Sequence, residues 1–314
     1  MKSELVLKVP RKLVDVLGMS YTPSYQYDMI GEASSKYIKN EILTGKPFLT
    51  ARIGATEFKC ISGYLNEQGK NKKYFDYFLK KTDALSINEE VISQAHMWSG
   101  IFPPQRETIE QFAKLSLQDL KDVDVLGVWL KEELLLKERL KKKTLVPLSD
   151  IEPYYHQTPW TVALNGKKVL VIHPFAQTIK LQYDKHELLF DNPDVLPKFD
   201  LKVITSVQSI AGQPTPFASW FEALEHMKSQ MDNTDYDIAI IGCGAYGLSL
   251  GAHAKRMGKQ AVHLGGATQI LFGIKGARWD NHPKISKLYR SSWVRPSKNE
   301  TPENKDKVED GCYW

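Results

Sequence analysis

The chain has 314 residues, of which 42% are hydrophobic and 11% aromatic, so it can bury the core of one large or two modest domains. The formal net charge of +5 is mild, and no basic tract has the length or interleaved aromatic residues of a nucleic-acid-binding protein, so we expect no nucleic-acid partner. Three cysteines lie far apart, Cys60, Cys243 and Cys312, and this spacing excludes a CxxC metal site. Together with the lack of a signal-peptide pattern and of an apolar run of about 18 residues, it predicts a cytoplasmic protein.

Helix and strand patterns alternate in residues 1–150, which we interpret as an N-terminal α/β lobe. Residues 48–53 predict a short strand, and a helix follows from Glu57 onward after the turn ATE. Three further patterns predict a helix, a strand and a second helix: PQRETIEQFAKLSLQDLKDV (104–123), DVLGVW (124–129) and KEELLLKERLKKK (131–143). The charges of the last segment indicate a solvated outer face. The segment DIEPYYHQTPW is typical of a connection between two lobes.

Residues 151–314 show a more regular alternation and predict a nucleotide-binding lobe with a C-terminal tail. Strand patterns rich in Val and Ile occupy residues 167–175, 199–207, 236–242 and 259–266, and the helix patterns 178–190, 216–231 and 247–258 follow them. This order implies βαβ crossovers and a parallel sheet covered on both faces. The predicted fold class is therefore α/β, with a Rossmann-like parallel sheet and helices on both faces.

The segment YDIAIIGCGAYG places Gly242, Gly244 and Gly247 in a GxGxxG pattern between a strand and a helix. Together with Ala245 and Tyr246, this turn presents free N–H groups and the partial positive charge of a helix N-terminus to a phosphate. The alternative is that the glycines only permit close packing of helix and strand. A nicotinamide enzyme of the common type needs an acidic residue about 20 positions later, at the end of the next strand. His263 stands in that region without a carboxylate, which favours a phosphate-bearing ligand other than NAD.

Polar residues also follow other predicted strands, at the sheet edge where α/β proteins bind ligands. Gly265 and Gly266 allow close approach of a nucleotide, Gln269 is a candidate for reading a base or sugar hydroxyl, and Arg278 for neutralising a diphosphate. For Arg278 the alternative is a surface arginine beside a turn. His173 in VIHPF is a candidate general base, and its alternative is a structural histidine.

The segment ARIGATEF carries Arg52, Gly54 and Glu57 across a strand-to-helix turn. One interpretation is that Glu57 only stabilises the helix start, since a carboxylate is favoured there by the helix dipole. In the functional interpretation both charged side chains face a crevice, where Glu57 acts as general base and Arg52 as an electrostatic clamp.

These motifs carry a family resemblance over nearly the whole chain from about residue 28. The segments ARIGATEF, KKVLVIHPFAQTI, VQSIAG, YDIAIIGCGAYG, HLGGATQILFGIKGARW and GCYW resemble bacterial proteins found with surface-polysaccharide (capsule) genes, and are similar to the GT-D type of glycosyltransferase. The resemblance implies a Rossmann-like fold and transfer of a sugar from a nucleotide-diphosphate donor, with a UDP-sugar as the first candidate. The implied acceptor is a glycan or a lipid-linked molecule, compatible with peripheral association at the inner face of the membrane.

The resemblance also implies roles for residues, and one position departs from it. Founding GT-D members read Arg, any residue, Gly, Asp, any residue, Glu at this turn, and Ala55 stands where the Asp is expected. The loss of one hard oxygen ligand argues against dependence on Mn²⁺ or Mg²⁺, so we expect no metal ligands and no required cofactor, with a metal held through the diphosphate as the alternative. Two other functions remain open: an NAD(P)-dependent oxidoreductase and a non-catalytic nucleotide-binding protein.

Overall fold

The computed structural model describes residues 25–69, 74–82, 84–308 and 311–314, together with Val14 and Leu17, and in this part of the chain seven strands form one parallel sheet. The strands are β1 (Phe48–Ala51), β2 (Val125–Val128), β3 (Thr144–Pro147), β4 (Lys168–His173), β5 (Asp200–Thr205), β6 (Ile238–Ile241) and β7 (Gln260–His263). Their order across the sheet is β3-β2-β1-β7-β6-β4-β5. The expectation of no signal peptide concerns the first twenty residues, of which only Val14 and Leu17 are described.

Eleven α-helices lie around the sheet within the same described ranges. They are α1 (Glu32–Leu43), α2 (Ala55–Gln68), α3 (Tyr74–Phe78), α4 (Glu89–Ser99), α5 (Arg106–Asp119), α6 (Lys137–Leu140), α7 (Ala176–Tyr183), α8 (Trp220–Asp232), α9 (Gly247–Arg256), α10 (Ala267–Leu271) and α11 (Ala277–Asp280). No helix among the described residues has both the length and the apolar character needed to cross a bilayer.

Each strand sends alternate side chains to opposite faces of the sheet, and each face has its own hydrophobic core. In β4, Leu170 and Ile172 join the core beneath α2, α5, α8 and α9, while Val169 and Val171 join the core beneath α1 and α7. Because both faces are covered, the inner strands β1, β2, β4, β6 and β7 are buried along nearly their whole length and read as near-continuous apolar runs, whereas the edge strands β3 and β5 are more exposed. This confirms the predicted fold class.

The strands of residues 1–150 and 151–314 belong to the same sheet. Leu49 in β1 pairs with Ala261 in β7, so the two segments meet at the centre of the sheet. The strands of the two predicted lobes are thus continuous in one sheet. The division into two lobes stays a prediction.

The predicted helix at 131–143 differs from the structure. Residues 131–136 form 3₁₀ turns, and only α6 continues as α-helix. The expected solvated face is wrong for Glu132 and Glu133, which are buried. The reason is local, because Glu133 accepts backbone N–H groups from Trp129 and Leu130 and so turns inward. The sequence patterns also missed α1, α4 and β3.

The strand order creates a crevice at the carboxyl edge of the sheet. The chain leaves β4 toward β5 at the sheet edge, whereas it leaves β6 in the opposite direction toward β7. Connections that diverge from neighbouring strands leave an opening above them, and open α/β sheets bind ligands at such a switch point. The loops after β4 and β6 are therefore placed to line a site.

Candidate active site

A cleft lies along the carboxyl edge of the sheet, with open space of about 1070 Å³ including the part that faces solvent. Residues at the ends of five strands line it: 52 and 54–57 after β1, 173–175 at the end of β4, 206–210 after β5, 242–244 and 246 after β6, and 265, 266 and 269 after β7. The site is thus assembled from both halves of the chain.

The structure brings nearly all of the predicted site residues together. Those that line the cleft are Arg52, Gly54, Glu57, His173, Gly242, Gly244, Tyr246, Gly265, Gly266, Gln269 and Arg278. Ala245 and His263 line a smaller chamber that opens from it. Gly247 lines neither space. The roles assigned to these residues stay predictions.

The Arg-x-Gly-x-x-Glu turn joins β1 to α2. Gly54 is the residue before the helix, and Glu57 lies in the first helical turn. A Cβ on Gly54 would overlap the Glu57 carboxylate, so this carboxylate folds back over the helix N-terminus. The helix dipole favours a negative charge there. No hydrogen bond to the Glu57 carboxylate is found within the described residues, which leaves its oxygens accessible to a ligand in the cleft.

Arg52 lies across the cleft floor. Its guanidinium carbon is 5.0 Å from the centroid of the Trp129 ring, and a Cβ on Gly265 would lie 3.3 Å from its Nη1. Stacking on an indole fixes a guanidinium plane and leaves its N–H groups available at the edge. Among the described residues no carboxylate lies within the 4.0 Å of an ion pair with Arg52. The side chain is therefore a positioned cation open to an anionic ligand.

Two carboxyl groups, those of the buried Glu133 and the half-buried Glu152, lie near enough to Arg52 for its charge to act on them. Burial raises the pKa of Glu133 and that of Glu152 to about 7, and the charge of Arg52 opposes this rise in both. The Oε2 atom of Glu133 accepts the N–H groups of Trp129 and Leu130 at 2.9 and 3.1 Å, whereas its Oε1 is buried without a partner. The charge close to Arg52 therefore changes with pH near neutrality.

We expect the stability difference between a Glu133→Gln variant and the wild type to depend on pH. The folded protein, with a pKa of about 7, retains a proton that the unfolded chain releases near 4.5, so wild-type stability falls as pH rises through this window. Glutamine accepts the same two N–H groups and does not titrate. Between pH 5 and pH 8, the free energy of unfolding of the variant should rise by about 2 kcal/mol relative to that of the wild type.

Urea unfolding at the two pH values measures this difference. Glu138→Gln is the matched control, because Glu138 is exposed in the next turn and its removal should have nearly the same effect at both pH values. If the difference in free energy of unfolding between Glu133→Gln and the wild type is the same at pH 5 and at pH 8, Glu133 titrates normally.

His173 is a buried, neutral ring at the end of β4. Burial lowers its pKa to about 3, and its Nδ1 accepts the Phe175 N–H at 3.0 Å. The neutral ring then carries its proton on Nε2, an assignment made from this hydrogen bond. With the lone pair occupied at Nδ1, the geometry favours His173 as a hydrogen-bond donor to a ligand over the general base considered above.

The three glycines of the GxGxxG turn serve different purposes. A Cβ on Gly247 would overlap the ring of His263, and one on Gly242 would lie 2.6 Å from the Cβ of Thr268. The packing interpretation therefore accounts for these two positions. Gly244 has φ +56°, and a Cβ there would meet only the Ser99 carbonyl oxygen, at 4.0 Å. At Gly244 the backbone conformation favours glycine, and the residue borders the cleft.

His263 is also buried and neutral. Its Nδ1 lies 3.2 Å from the Ile241 carbonyl oxygen and donates to it. Burial and the nearby Arg52 lower its pKa to about 4. Its unprotonated Nε2 is consequently a hydrogen-bond acceptor.

Gln269 and Arg278 connect the cleft wall to the end of the chain. The Gln269 side-chain amide donates to the carbonyl oxygens of Lys275 and Tyr313, at 3.1 and 2.9 Å. Arg278 lies with its guanidinium carbon 4.8 Å from the centroid of the Tyr313 ring, and its Nη2 donates to Cys312 Sγ at 3.2 Å. Both side chains thus hold the C-terminal residues against the cleft.

Sequence reasoning missed several lining residues. Residues 206–210 follow β5 and overlap VQSIAG (207–212), which carries the resemblance but was given no site role, although the rule for strand ends assigns one. Trp129 directly follows β2, so the same rule applies to it. Trp98 in α4 carries no local signal. Tyr313 and Trp314 belong to the GCYW segment of the resemblance, but their place at the cleft depends on tertiary contacts.

The chain's own residues do not fit a protein-held metal site at this turn. Ala55 has no ligand atom in its side chain, and no group of three His, Cys, Asp or Glu suited to a metal ion is found in the described ranges. Glu57 alone supplies fewer oxygen ligands than Mg²⁺ or Mn²⁺ needs. The expectation of no required metal stays a prediction.

Comparison with known proteins identifies no relative. No protein-family model, no curated protein and no solved structure matches the chain at a significant score. The resemblance to GT-D glycosyltransferases therefore depends on the motifs themselves.

Proposed function

We propose that the protein is a glycosyltransferase of the GT-D type, which moves a sugar from a nucleotide-diphosphate donor to a glycan or lipid-linked acceptor. The observation that carries the proposal is the pairing of Arg52 and Glu57. Both side chains belong to the same turn and line the same cleft. Within the described residues, Arg52 has no carboxylate partner and the Glu57 carboxylate accepts no hydrogen bond. Such a pair suits a reaction that creates negative charge and removes a proton.

The cleft offers binding groups that suit such a donor. Gly244 permits close approach of the diphosphate to the backbone, and Arg52 supplies positive charge. The rings of Trp98 and Trp129 are partly exposed, at 38% and 44%, and both line the cleft. Exposed indole rings provide flat apolar surfaces on which a base or a sugar stacks.

In the proposed reaction an acceptor hydroxyl oxygen attacks the anomeric carbon of the donor sugar. Glu57 takes the hydroxyl proton, the bond between the anomeric carbon and the phosphate oxygen breaks, and the nucleoside diphosphate leaves with the bonding electrons. Arg52 neutralises the charge that develops on the diphosphate. His173 donates its Nε2–H to an oxygen of the bound donor. No step requires a metal.

The acceptor and the place of the reaction follow from the same proposal. A nascent or lipid-linked glycan is presented at the inner face of the membrane, and the net charge of +5 supports a weak, peripheral attraction to an anionic surface. The reaction therefore belongs at the cytoplasmic face.

A thermal-shift screen tests the proposal against its alternatives. UDP-, GDP-, dTDP- and CMP-sugars and NADH are compared, each with and without Mn²⁺. At a ligand concentration about 100 times its Kd, the bound nucleotide sugar should raise Tm by about 4 °C. Stabilisation by NADH alone would favour an oxidoreductase. No shift with any nucleotide sugar would contradict the proposed donor.

A further inference from the structure

A smaller chamber opens from the floor of the cleft, between helices α2, α5 and α9. Its inner walls are Ile61 from α2, Phe112 and Ser116 from α5, Leu248 from α9, and His263 at the end of β7. The open space is about 550 Å³, roughly half of that in the main cleft. The chamber is therefore a distinct compartment of limited size.

The mouth of this chamber is formed by residues that also line the cleft. Arg52 and Glu57 stand there with Gly54, Gly244 and Gly265. Arg52 and Glu57 are also the only residues with full charges among those that line the chamber in the described part of the chain. A molecule that occupies both compartments therefore passes beside these two charged side chains.

The interior of the chamber suits a neutral ligand with both apolar and hydroxyl surfaces. Ile61, Phe112 and Leu248 are buried apolar side chains. Ser116 Oγ makes no hydrogen bond within residues 25–69, 74–82, 84–308 and 311–314, and His263 is neutral with an accepting Nε2. A pyranose presents C–H groups on its faces and hydroxyl groups at its edge, whereas a diphosphate would leave its charges unpaired here.

We propose that the chamber holds the transferred sugar of the donor, while the nucleotide lies in the main cleft. This inference rests on the proposed function. The bond between the anomeric carbon and the phosphate oxygen then lies at the mouth, between Arg52 and Glu57. Ser116 and His263 become residues that recognise sugar hydroxyls, and Phe112 packs against a face of the ring.

Filling the chamber separates binding of the sugar from binding of the nucleotide. In Ser116→Leu the added carbons project from α5 into the chamber. Binding of a nucleotide sugar should weaken about tenfold to a hundredfold, because a well-packed site does not accommodate extra methylenes without strain. Binding of the free nucleoside diphosphate should be unchanged. Calorimetric titrations compare UDP with UDP-glucose, GDP with GDP-mannose and dTDP with dTDP-glucose.

Two further variants complete the test. Leu248→Phe fills the chamber from α9 and should reproduce the selective loss. Ser206→Leu is the matched control, because Ser206 lines the main cleft after β5, so it should weaken free nucleotides and nucleotide sugars alike. The inference is overturned if both filling variants, folded by their Tm, bind the nucleotide sugar as the wild type does, or lose both ligands equally. A wild type that binds none of these six compounds would instead refute the proposed function itself.

Discussion

Replacement of Glu57 by Gln should lower turnover about 100-fold or more, with donor affinity changed little, because a general base contributes at least this factor. Glutamine keeps the size of the side chain but takes no proton from the acceptor. The Glu57 carboxylate folds over the N-terminus of α2 and borders both the cleft and the chamber. The measurement is kcat together with the Kd of the donor.

Glu89→Gln provides the matched control for Glu57. Glu89 also lies in the first turn of a helix, but it is exposed on α4 away from the cleft, so its loss should leave kcat unchanged. Chelation with EDTA should leave substantial wild-type activity, because Ala55 removes a metal ligand from the turn. Complete loss of activity with EDTA, together with a Glu57→Gln variant that fails chiefly in donor binding, would make Glu57 a metal ligand.

Replacement of Arg52 by Ala should lower kcat by about 10² to 10³, the usual effect of losing a group that stabilises charge in the transition state. The guanidinium is held by the Trp129 ring and has no ion-pair partner in the described ranges, so its charge is available to the leaving diphosphate. Arg52→Lys keeps the charge but loses the planar fork, and should retain an intermediate rate.

Arg139→Ala controls for the removal of a positive charge, because Arg139 is exposed on α6 and does not line the cleft. Its kcat should match that of the wild type. An Arg52→Ala protein that is folded, as judged by Tm, and has unchanged kcat would show that Arg52 does not act on the leaving group.

The sequence was most informative where function and local structure share a signal. Strand ends rich in glycine and polar residues marked the loops after β1, β4, β6 and β7, because all parallel strands end at the same edge. The apolar runs of the strands also predicted helices on both faces, because a strand that is apolar on both sides must be covered on both faces of the sheet. Within the GxGxxG turn, however, sequence did not distinguish Gly244 at the cleft from Gly242 and Gly247, which pack against neighbouring chain.

Other features depend on contacts between distant segments, which the sequence does not show. Tyr313 reaches the cleft because its carbonyl oxygen accepts the Gln269 amide, 44 positions earlier in the chain. The inward turn of Glu133 depends on two backbone N–H groups in a loop after β2. The state of His173 depends on burial and on one hydrogen bond from Phe175. Each of these requires the folded structure.

The release of nucleoside diphosphate from a nucleotide sugar by the purified protein tests the central claim most directly. The wild type should release nucleoside diphosphate from the nucleotide sugar that stabilises the protein most. Glu57→Gln should bind this donor equally well but release nucleoside diphosphate at about 1% of the wild-type rate. A wild type that binds the donor but releases nucleoside diphosphate no faster than Glu57→Gln would contradict the account, and would make the chain a nucleotide-binding protein without transferase activity.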